Sequence, residues 1–428
     1  MKAPSTGILF FCLIISFQLY AQEEASKPTI IQLEDAIIID GETQDPFKGF
    51  IVIEGQKIKQ VGQGTAPEAP AGALVLNLEG FYIVPGYIDS HVHFGTDPSG
   101  SDNLEVTKKR LRFFLENGIT SVRDMAGDTR YLSYLQRSAS LNEIISPDLY
   151  FSSLMAGPEF FDDPRTHSSA KGAIAGEAIW MRGISNDTDI KLAVAEAKGT
   201  GASGIKIYAD LEIDIVRKIV VEAHSQGMKV WSHATIFPAK PLEIVLSGMD
   251  AISHATLLAW ESAEYLPGTA KKRYVEQENF DSNDPKIIHL LNAMKQQGTI
   301  LDATLATYKN ERFEKIIYPV GVAITKKAYE IGVKIGVGTD IDLFEIPPVA
   351  PLFKEMSILV NEIGMSPMEV IQSSTLVNAE ILGIEDLTGS IKVGKQADIV
   401  VLKENPLMEI ENAAKIKYVI KKGLLVLH

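Results

Sequence analysis

A chain of 428 residues that is 46 % hydrophobic and 22 % charged has the composition of a globular protein with a large core and more than one structural unit, which excludes a disordered chain. Its formal net charge of -14 argues against nucleic-acid backbones as partners and leaves a small-molecule substrate open.

The N-terminus reads as a targeting segment. Lys2 supplies a small positive region, Gly7 to Leu19 is apolar but too short to span a bilayer, and Leu19-Tyr20-Ala21 before Gln22-Glu23-Glu24 has the form of a cleavage site. The expectation is a signal peptide over residues 1–21, no stable membrane anchor once it is removed, and a periplasmic or secreted location. Removal takes away Lys2, the only charge in that stretch, and moves the formal net charge from -14 to -15. The only cysteine, Cys12, lies in the same segment, so the expected mature chain has neither a disulfide nor a Cys-ligated metal. Phe10 and Phe11 stand where a lipoprotein signal carries small residues, which disfavours lipidation of Cys12.

From Thr29 to about Val84 short β-like runs are broken by turns: Ile30 to Leu33, Ala36 to Ile39, Gly49 to Glu54 and Lys57 to Val61, with Gly55-Gln56 placed for a hairpin. The tail repeats the pattern in Ile399 to Leu402, Ile416 to Ile420 and Leu424 to Val426, punctuated by Asn405-Pro406 and Lys422-Gly423. The two ends, residues 28–84 and 389–428, are expected to make one β domain, with residues 85–388 inserted between them.

The centre alternates apolar β runs with helix-like stretches, the pattern of parallel βα units. The strands are expected at Tyr87 to His93, Gly118 to Arg123, Asp148 to Ser152, Gly204 to Tyr208, Lys229 to His233, Ala251 to His254, Thr299 to Thr304 and Lys334 to Gly338. Amphipathic segments such as Leu104 to Glu116, Ile213 to Gln226, Pro285 to Gln297 and Val322 to Ile331 lie between them. Eight such units fit a (β/α)8 barrel, whose active site lies at the C-terminal ends of its strands. A doubly wound open sheet is the alternative, but it would put its site at one switch point, whereas here polar residues end many strands. The polar stretch from Glu261 to Asp284 is either a lid over the barrel mouth or a solvated insertion.

Those strand ends carry the chemistry. His91 and His93 share one face of the first strand, a spacing that lets two imidazoles hold one metal. Lys206 lies on strand 4, His233 on strand 5, His254 on strand 6, and Asp340 just after strand 8. Taken singly, each has a bland explanation, a snorkelling lysine or a hydrogen-bonded core histidine. Together, four of the eight histidines, a lysine within an apolar strand and an aspartate after Gly338-Thr339 fall where a barrel converges its functional groups.

At this point the chain resembles the amidohydrolase superfamily, in particular the branch of imidazolonepropionase-like proteins and metal-dependent Xaa-Pro or Xaa-Arg dipeptidases. The resemblance covers nearly all of the expected mature chain. It rests on Val84-Pro85-Gly86-Tyr87-Ile88-Asp89-Ser90-His91-Val92-His93, Gly118-Ile119-Thr120-Ser121-Val122-Arg123-Asp124, Gly204-Ile205-Lys206-Ile207, Ser232-His233-Ala234, Ser253-His254-Ala255, Gly338-Thr339-Asp340 and Gly389-Ser390-Ile391 with Gly394-Lys395-Gln396-Ala397-Asp398. It implies an α/β fold, a TIM barrel with a small β-sandwich domain built from both chain ends. It also implies two divalent ions, His91, His93 and Asp340 holding one, His233 and His254 the other, and a carboxylated Lys206 bridging them. Zinc suits the His and O donor set, though manganese or cobalt binds similar groups. The implied reaction is hydrolysis of a C–N bond by hydroxide formed between the metals, with Asp340 as general base and then general acid. Tyr208, two residues past Lys206 and on the same strand face, is a candidate donor to the developing oxyanion.

One departure from the family pattern and one further residue bear on the substrate. Relatives carry Gly-Gly-His-Gly after strand 3, where this chain has Met155-Ala156-Gly157-Pro158-Glu159 and then Arg165-Thr166-His167-Ser168; His167 is the candidate for that substrate-facing histidine. Arg123 at the end of strand 2 is a candidate carboxylate ligand, with pairing to Asp124 the equal alternative. A dipeptide or N-acyl amino acid is the expected substrate, a cyclic amide or lactone the second reading, and a non-catalytic exported binding protein the reading from another class. Aminohydrolases of nucleobase-like rings fit less well, because that branch carries His-x-x-Glu on strand 5, where Ile236 stands, and lacks the strand-4 lysine. A homo-oligomer is compatible with all of these.

Overall fold

The computed structural model describes residues 30–96, 102–264, 280–341 and 345–427. The expected signal segment and residues 265–279 of the polar stretch after strand 6 lie outside the described residues. No helix among the described residues is long and apolar enough to cross a membrane.

The chain opens with β1 (Ile30–Ile38), β2 (Phe47–Glu54), β3 (Lys57–Gln63), β4 (Leu74–Asn77) and β5 (Tyr82–Pro85). Gly55, with a positive φ of 58°, makes the β2–β3 turn that the Gly-Gln pair anticipates. β1 breaks its register between Leu33 and Ala36, around Asp35. Before the break it pairs with β4, and after it with β5, both parallel. The two runs expected from Ile30 to Ile39 are thus one bulged strand, and β4 and β5 are strands that short, weakly alternating sequence does not announce.

The barrel follows at once with β6 (Tyr87–Val92), β7 (Ile119–Asp124) and β8 (Asp148–Ala156), then a small excursion through β9 (Glu177–Ala178) and β10 (Met181–Gly183). It continues with β11 (Gly204–Ile207), β12 (Lys229–His233), β13 (Ala251–Ser253), β14 (Ile300–Asp302) and β15 (Ile335–Gly336). The chain then returns to the first sheet as β16 (Ile399–Leu402), β17 (Ile416–Lys421) and β18 (Leu424–Leu427). That sheet runs β18-β17-β16-β5-β1-β2-β3, so strands from both chain ends meet at the β16–β5 pair around one core of Ile31, Ile38, Ile51, Ile83, Ile399 and Val401. All eight expected barrel strands are present, all parallel, with β6, β7, β8, β11, β12, β13, β14 and β15 as neighbours in turn.

Closure between β6 and β15 is made by a few bonds. Ser90 N donates to Val337 O at 3.1 Å and Asp340 N to His91 O at 2.9 Å. The buried Asn378 amide adds a clasp, donating to Ile88 O at 2.6 Å and Val337 O at 2.7 Å while accepting from Val337 N at 2.9 Å. Gly338 is required here: a Cβ would lie 2.2 Å from Asp302 Oδ1 and 2.7 Å from His91 Cβ, so any side chain would push the first, seventh and eighth strands apart.

The helices bury one face each against this barrel. Leu104–Glu116 starts at Asn103, whose side chain accepts from Val106 N, and buries Leu111, Phe114 and Leu115; Pro285–Gln297 starts at Asp284, ends at Gly298 and buries Ile287, Leu290, Leu291 and Met294. The β domain is locked to the barrel's N-terminal end by charge as well as packing. Buried Lys421 reaches Asp148 at 2.6 Å, the first residue of β8, and Asp398 at 2.9 Å, and Lys422 reaches Asp148 at 2.6 Å.

Candidate active site

The barrel delivers its polar residues to the C-terminal rim, where the backbone is also most constrained. Of nine non-glycine residues with positive φ among the described residues, five follow barrel strands: Ala126, Asp210, His254, Thr304 and Asp340. Such conformations cost energy and persist only where the surroundings over-determine them, and three of these residues, Ala126, His254 and Asp340, line the cavity or the cleft beside it.

One cavity of about 180 Å³ gathers His91, His93, Lys206, Tyr208, His233, His254 and Asp340, with Met125, Leu257 and Tyr308 completing its lining. Asp340 Oδ1 is 2.8 Å from His93 Nε2 and 3.4 Å from His91 Nε2. One donor atom from each of these three residues lies within 4.8 Å of the others, a spacing that fits a single cation. On the other side, His233 Nε2 and His254 Nε2 face each other at 3.1 Å, close enough to converge on one ion. The other His254 nitrogen, Nδ1, is 2.9 Å from Thr304 Oγ1. Lys206, on β11 and only 1 % exposed, lines the same cavity.

The electrostatics suit ligation. Burial pulls His91 down to about 4 against the opposing pull of Asp340 and Asp302, and burial likewise holds His254 well below its ordinary value. Burial thus works toward the neutral imidazole in both rings, the form that binds metal. Burial alone would raise the Asp340 carboxyl, but His91, His254 and His93 hold it well below the usual carboxylate range.

Tyr208 belongs to two cavities. Its ring lies against His233, centroids 4.0 Å apart, and against Phe160 at 4.5 Å. Beyond it opens a cleft of about 440 Å³ that shares His93, Met125, Tyr208 and Asp340 with the first cavity. That volume is in the roughly 300–1,000 Å³ range of small-molecule sites.

The remaining two candidates are placed differently. Arg123 is fully buried below the site, donating to Ser90 O and to Asp302 Oδ2 at 3.0 Å, with its guanidinium 4.7 Å from the Trp231 ring centroid. It lines neither cavity, so the expected role as a substrate-carboxylate ligand is corrected: its charge is spent inside the barrel. Nor does it pair with Asp124, which accepts instead from Gly95 N and Gly127 N. His167 lies on the short helix Pro164–Ser169, its Nε2 2.9 Å from Phe161 O; its neighbours Arg165, Thr166, Ser168 and Ser169 line the cleft and it does not.

The residue that sequence reasoning passed over is Asp302, at the end of β14. Fully buried, it stands 2.8 Å from His91 Nδ1, 2.9 Å from Ser253 Oγ and 3.0 Å from Arg123, and reaches Ser90 Oγ at 3.2 Å. Burial works to raise it, yet His91 and Arg123 hold it at about 2. The signal was there: an acidic residue inside the apolar run Ile300-Leu301-Asp302-Ala303, at the rim of a strand for which no functional group was named.

Comparison with known proteins agrees with this geometry. The amidohydrolase family matches residues 82–426. The chain is 27 % identical over 403 residues to the imidazolonepropionase of Fusobacterium nucleatum, covering 82 % of this chain and 84 % of that one. It is 32 % identical over 410 residues to the 5'-deoxyadenosine deaminase of Methanobrevibacter smithii, covering 88 % and 84 %. Among solved structures, a Xaa-Pro dipeptidase with methionine bound in its active site superposes with a TM-score of 0.72 over 93 % of this chain and 99 % of that chain, at 24 % identity, a likeness of fold. With a (β/α)8 barrel, a His-His-Asp cluster at its mouth and a family match over most of its length, the chain belongs to the amidohydrolase family, hydrolases that act on carbon–nitrogen bonds.

Proposed function

We propose that this protein is an exported, metal-dependent amidohydrolase that cleaves the amide bond of a dipeptide or an N-acyl amino acid. The observation that carries the reading is the convergence of four histidines, Lys206 and Asp340 on one cavity that opens into a cleft large enough for such a substrate.

His91, His93 and Asp340 would hold one divalent ion and His233 and His254 a second, with Lys206 as the bridging ligand after carboxylation by carbon dioxide. Carboxylation replaces a buried ammonium, which repels cations, with a carbamate carrying two anionic oxygens. When bound, the ions lower the pKa of water and polarise the scissile carbonyl. Asp340, held ionised by its histidine neighbours, is placed to accept the proton of the attacking water and to return it to the leaving amine. Tyr208, at the junction of cavity and cleft, is placed to donate a hydrogen bond to the carbonyl oxygen as charge develops on it. Asp302 keeps His91 oriented, with Nε2 turned toward Asp340.

The likeness to imidazolonepropionase supports a second reading, hydrolysis of a cyclic amide on the same centre. The likeness to a deaminase is weighed against Lys206 on β11 and Ile236 three residues after His233.

A hydrolysis screen over dipeptides, N-acyl amino acids and cyclic amides, run with and without zinc and paired with metal analysis, tests the reading. The expected result is cleavage of linear amides and close to two divalent ions per chain. Cleavage that survives complete chelation would overturn the metal dependence, and turnover confined to cyclic amides would favour the second reading. Export is checked by mass spectrometry of the protein recovered from its native cell: the reading requires an N-terminus at Gln22.

A further inference from the structure

The wall of the cleft is built by an addition to the barrel. β8 has nine residues, and β7 pairs with its first part only, from Asp148 to Phe151. Its last part, Leu154 to Ala156, pairs instead with β10, which carries β9 on its far side. In register, Met181, Leu154 and Lys206 lie side by side on β10, β8 and β11. Lys206 faces the cavity of the six candidate ligands, while Leu154 and Met181 face the cleft beside it.

Phe160 adds an aromatic face, and Met125 and Ala126 line the same cleft. This wall is packed and bonded rather than loose. Leu154, Phe160 and Met181 belong to one cluster with Ala156, Phe161, Ala178 and Trp180, and Leu154 N donates to Trp180 O at 2.7 Å and Gly183 N to Gly176 O at 2.7 Å. The charged pair at the rim neutralises itself, Arg165 lying against Asp163 at 3.1 Å through Nε. The Thr166 hydroxyl donates back to Asp163 O at 2.7 Å.

We infer that the wall formed by Leu154, Phe160 and Met181 receives a bulky, uncharged apolar group attached directly to the scissile amide, and that it sets the substrate preference of this enzyme. The inference rests on the amide-hydrolase reading and adds the substrate's chemical class to it. A preformed apolar wall binds each additional methylene by excluding water from it, which corresponds to roughly fourfold in kcat/KM per buried methylene.

The test uses the full-length, metal-loaded protein and two substrate series: N-acylglycines from acetyl to octanoyl and phenylacetyl, and glycyl dipeptides from alanine to leucine and phenylalanine. At least one series is expected to rise by about tenfold or more from its smallest to its largest member. Met181→Glu is expected to lower that large-to-small ratio by about tenfold or more, Met181→Leu to preserve it, and Met181→Ala to move the optimum to longer chains. A flat response in both series, or a Met181→Glu ratio equal to that of the parent protein, overturns the inference and leaves amide hydrolysis standing. If no amide is cleaved, calorimetric titration with butyrate, octanoate and phenylacetate decides: affinity that rises with apolar size supports the cleft and overturns only the amide reading, and affinity independent of size overturns the cleft as well.

Discussion

Asp302 Oδ2 lies 2.8 Å from Nδ1 of His91, while Nε2 of the same ring lies 3.4 Å from Asp340 Oδ1. The carboxylate of the seventh barrel strand thus fixes which imidazole nitrogen the first strand offers to the site. Asp302→Asn should weaken divalent-ion binding by about 10- to 100-fold, the usual cost of losing such a supporting carboxylate. Competition titrations against a chelating dye measure this, and an unchanged affinity would remove Asp302 from that role.

Lys206→Ala should lose bound metal and turnover together, since the proposed carbamate is the ligand that bridges the two ions. Added short carboxylic acids should restore part of both by supplying the missing anionic oxygens. Full activity in the unsupplemented variant would take Lys206 out of the site.

Tyr208→Phe should behave differently, lowering kcat by roughly 10²-fold or more, the scale for loss of one oxyanion donor, while metal content stays at the parental level. A parallel loss of metal would instead assign the hydroxyl to supporting the ligand set, since Phe keeps the ring that lies against His233.

Glu355 offers a prediction in pH. It is fully buried and accepts from Leu305 N and Ala306 N, ahead of Thr307 and Tyr308, which line the cleft and the cavity. Burial pushes its carboxyl up to about 8, so the folded state holds a proton that the unfolded chain releases near 4.5. The stability it contributes is present in full below about 4.5 and is lost as pH rises through about 8. The melting temperature of the parent protein, relative to Glu355→Gln, should therefore fall between those values. A difference independent of pH across that window would show that Glu355 does not take up a proton on folding.

Lys421→Met should destabilise the protein by about 3 kcal/mol or more, because it leaves the buried Asp398 and the partly buried Asp148 without their shared cation. Denaturant unfolding followed by tryptophan fluorescence gives the number. A change below about 0.5 kcal/mol would show the cluster to be as weak as an ordinary surface ion pair.

Much of the architecture was legible in the chain. The eight barrel strands read as apolar runs between amphipathic segments, and the helices Leu104–Glu116 and Pro285–Gln297 begin and end where their caps indicate. The paired spacing of His91 and His93 follows from the two-residue period of a strand, and the positions of Lys206, His233, His254 and Asp340 at strand ends follow from the same pattern. Local periodicity states which face a side chain occupies, and that was enough to nominate the residues now seen around one cavity.

Other features were decided only by closing the barrel. Asp302 meets His91 across 211 positions of sequence, and Arg123 reaches Asp302 across 179, so neither partner could be read from its own strand. Arg123 has the sequence signature of a carboxylate ligand at a strand end, yet the barrel interior already held an aspartate that the buried guanidinium neutralises. The β9–β10 hairpin is too short for a periodic signal and exists because the long β8 outruns β7 and leaves an edge to be paired. What the sequence by itself determined was the set of groups and the side of each strand they occupy. What only the tertiary structure decided was which of them meet, because distance across a closed barrel depends on strand order and register, and neither is written in the local pattern of any one strand.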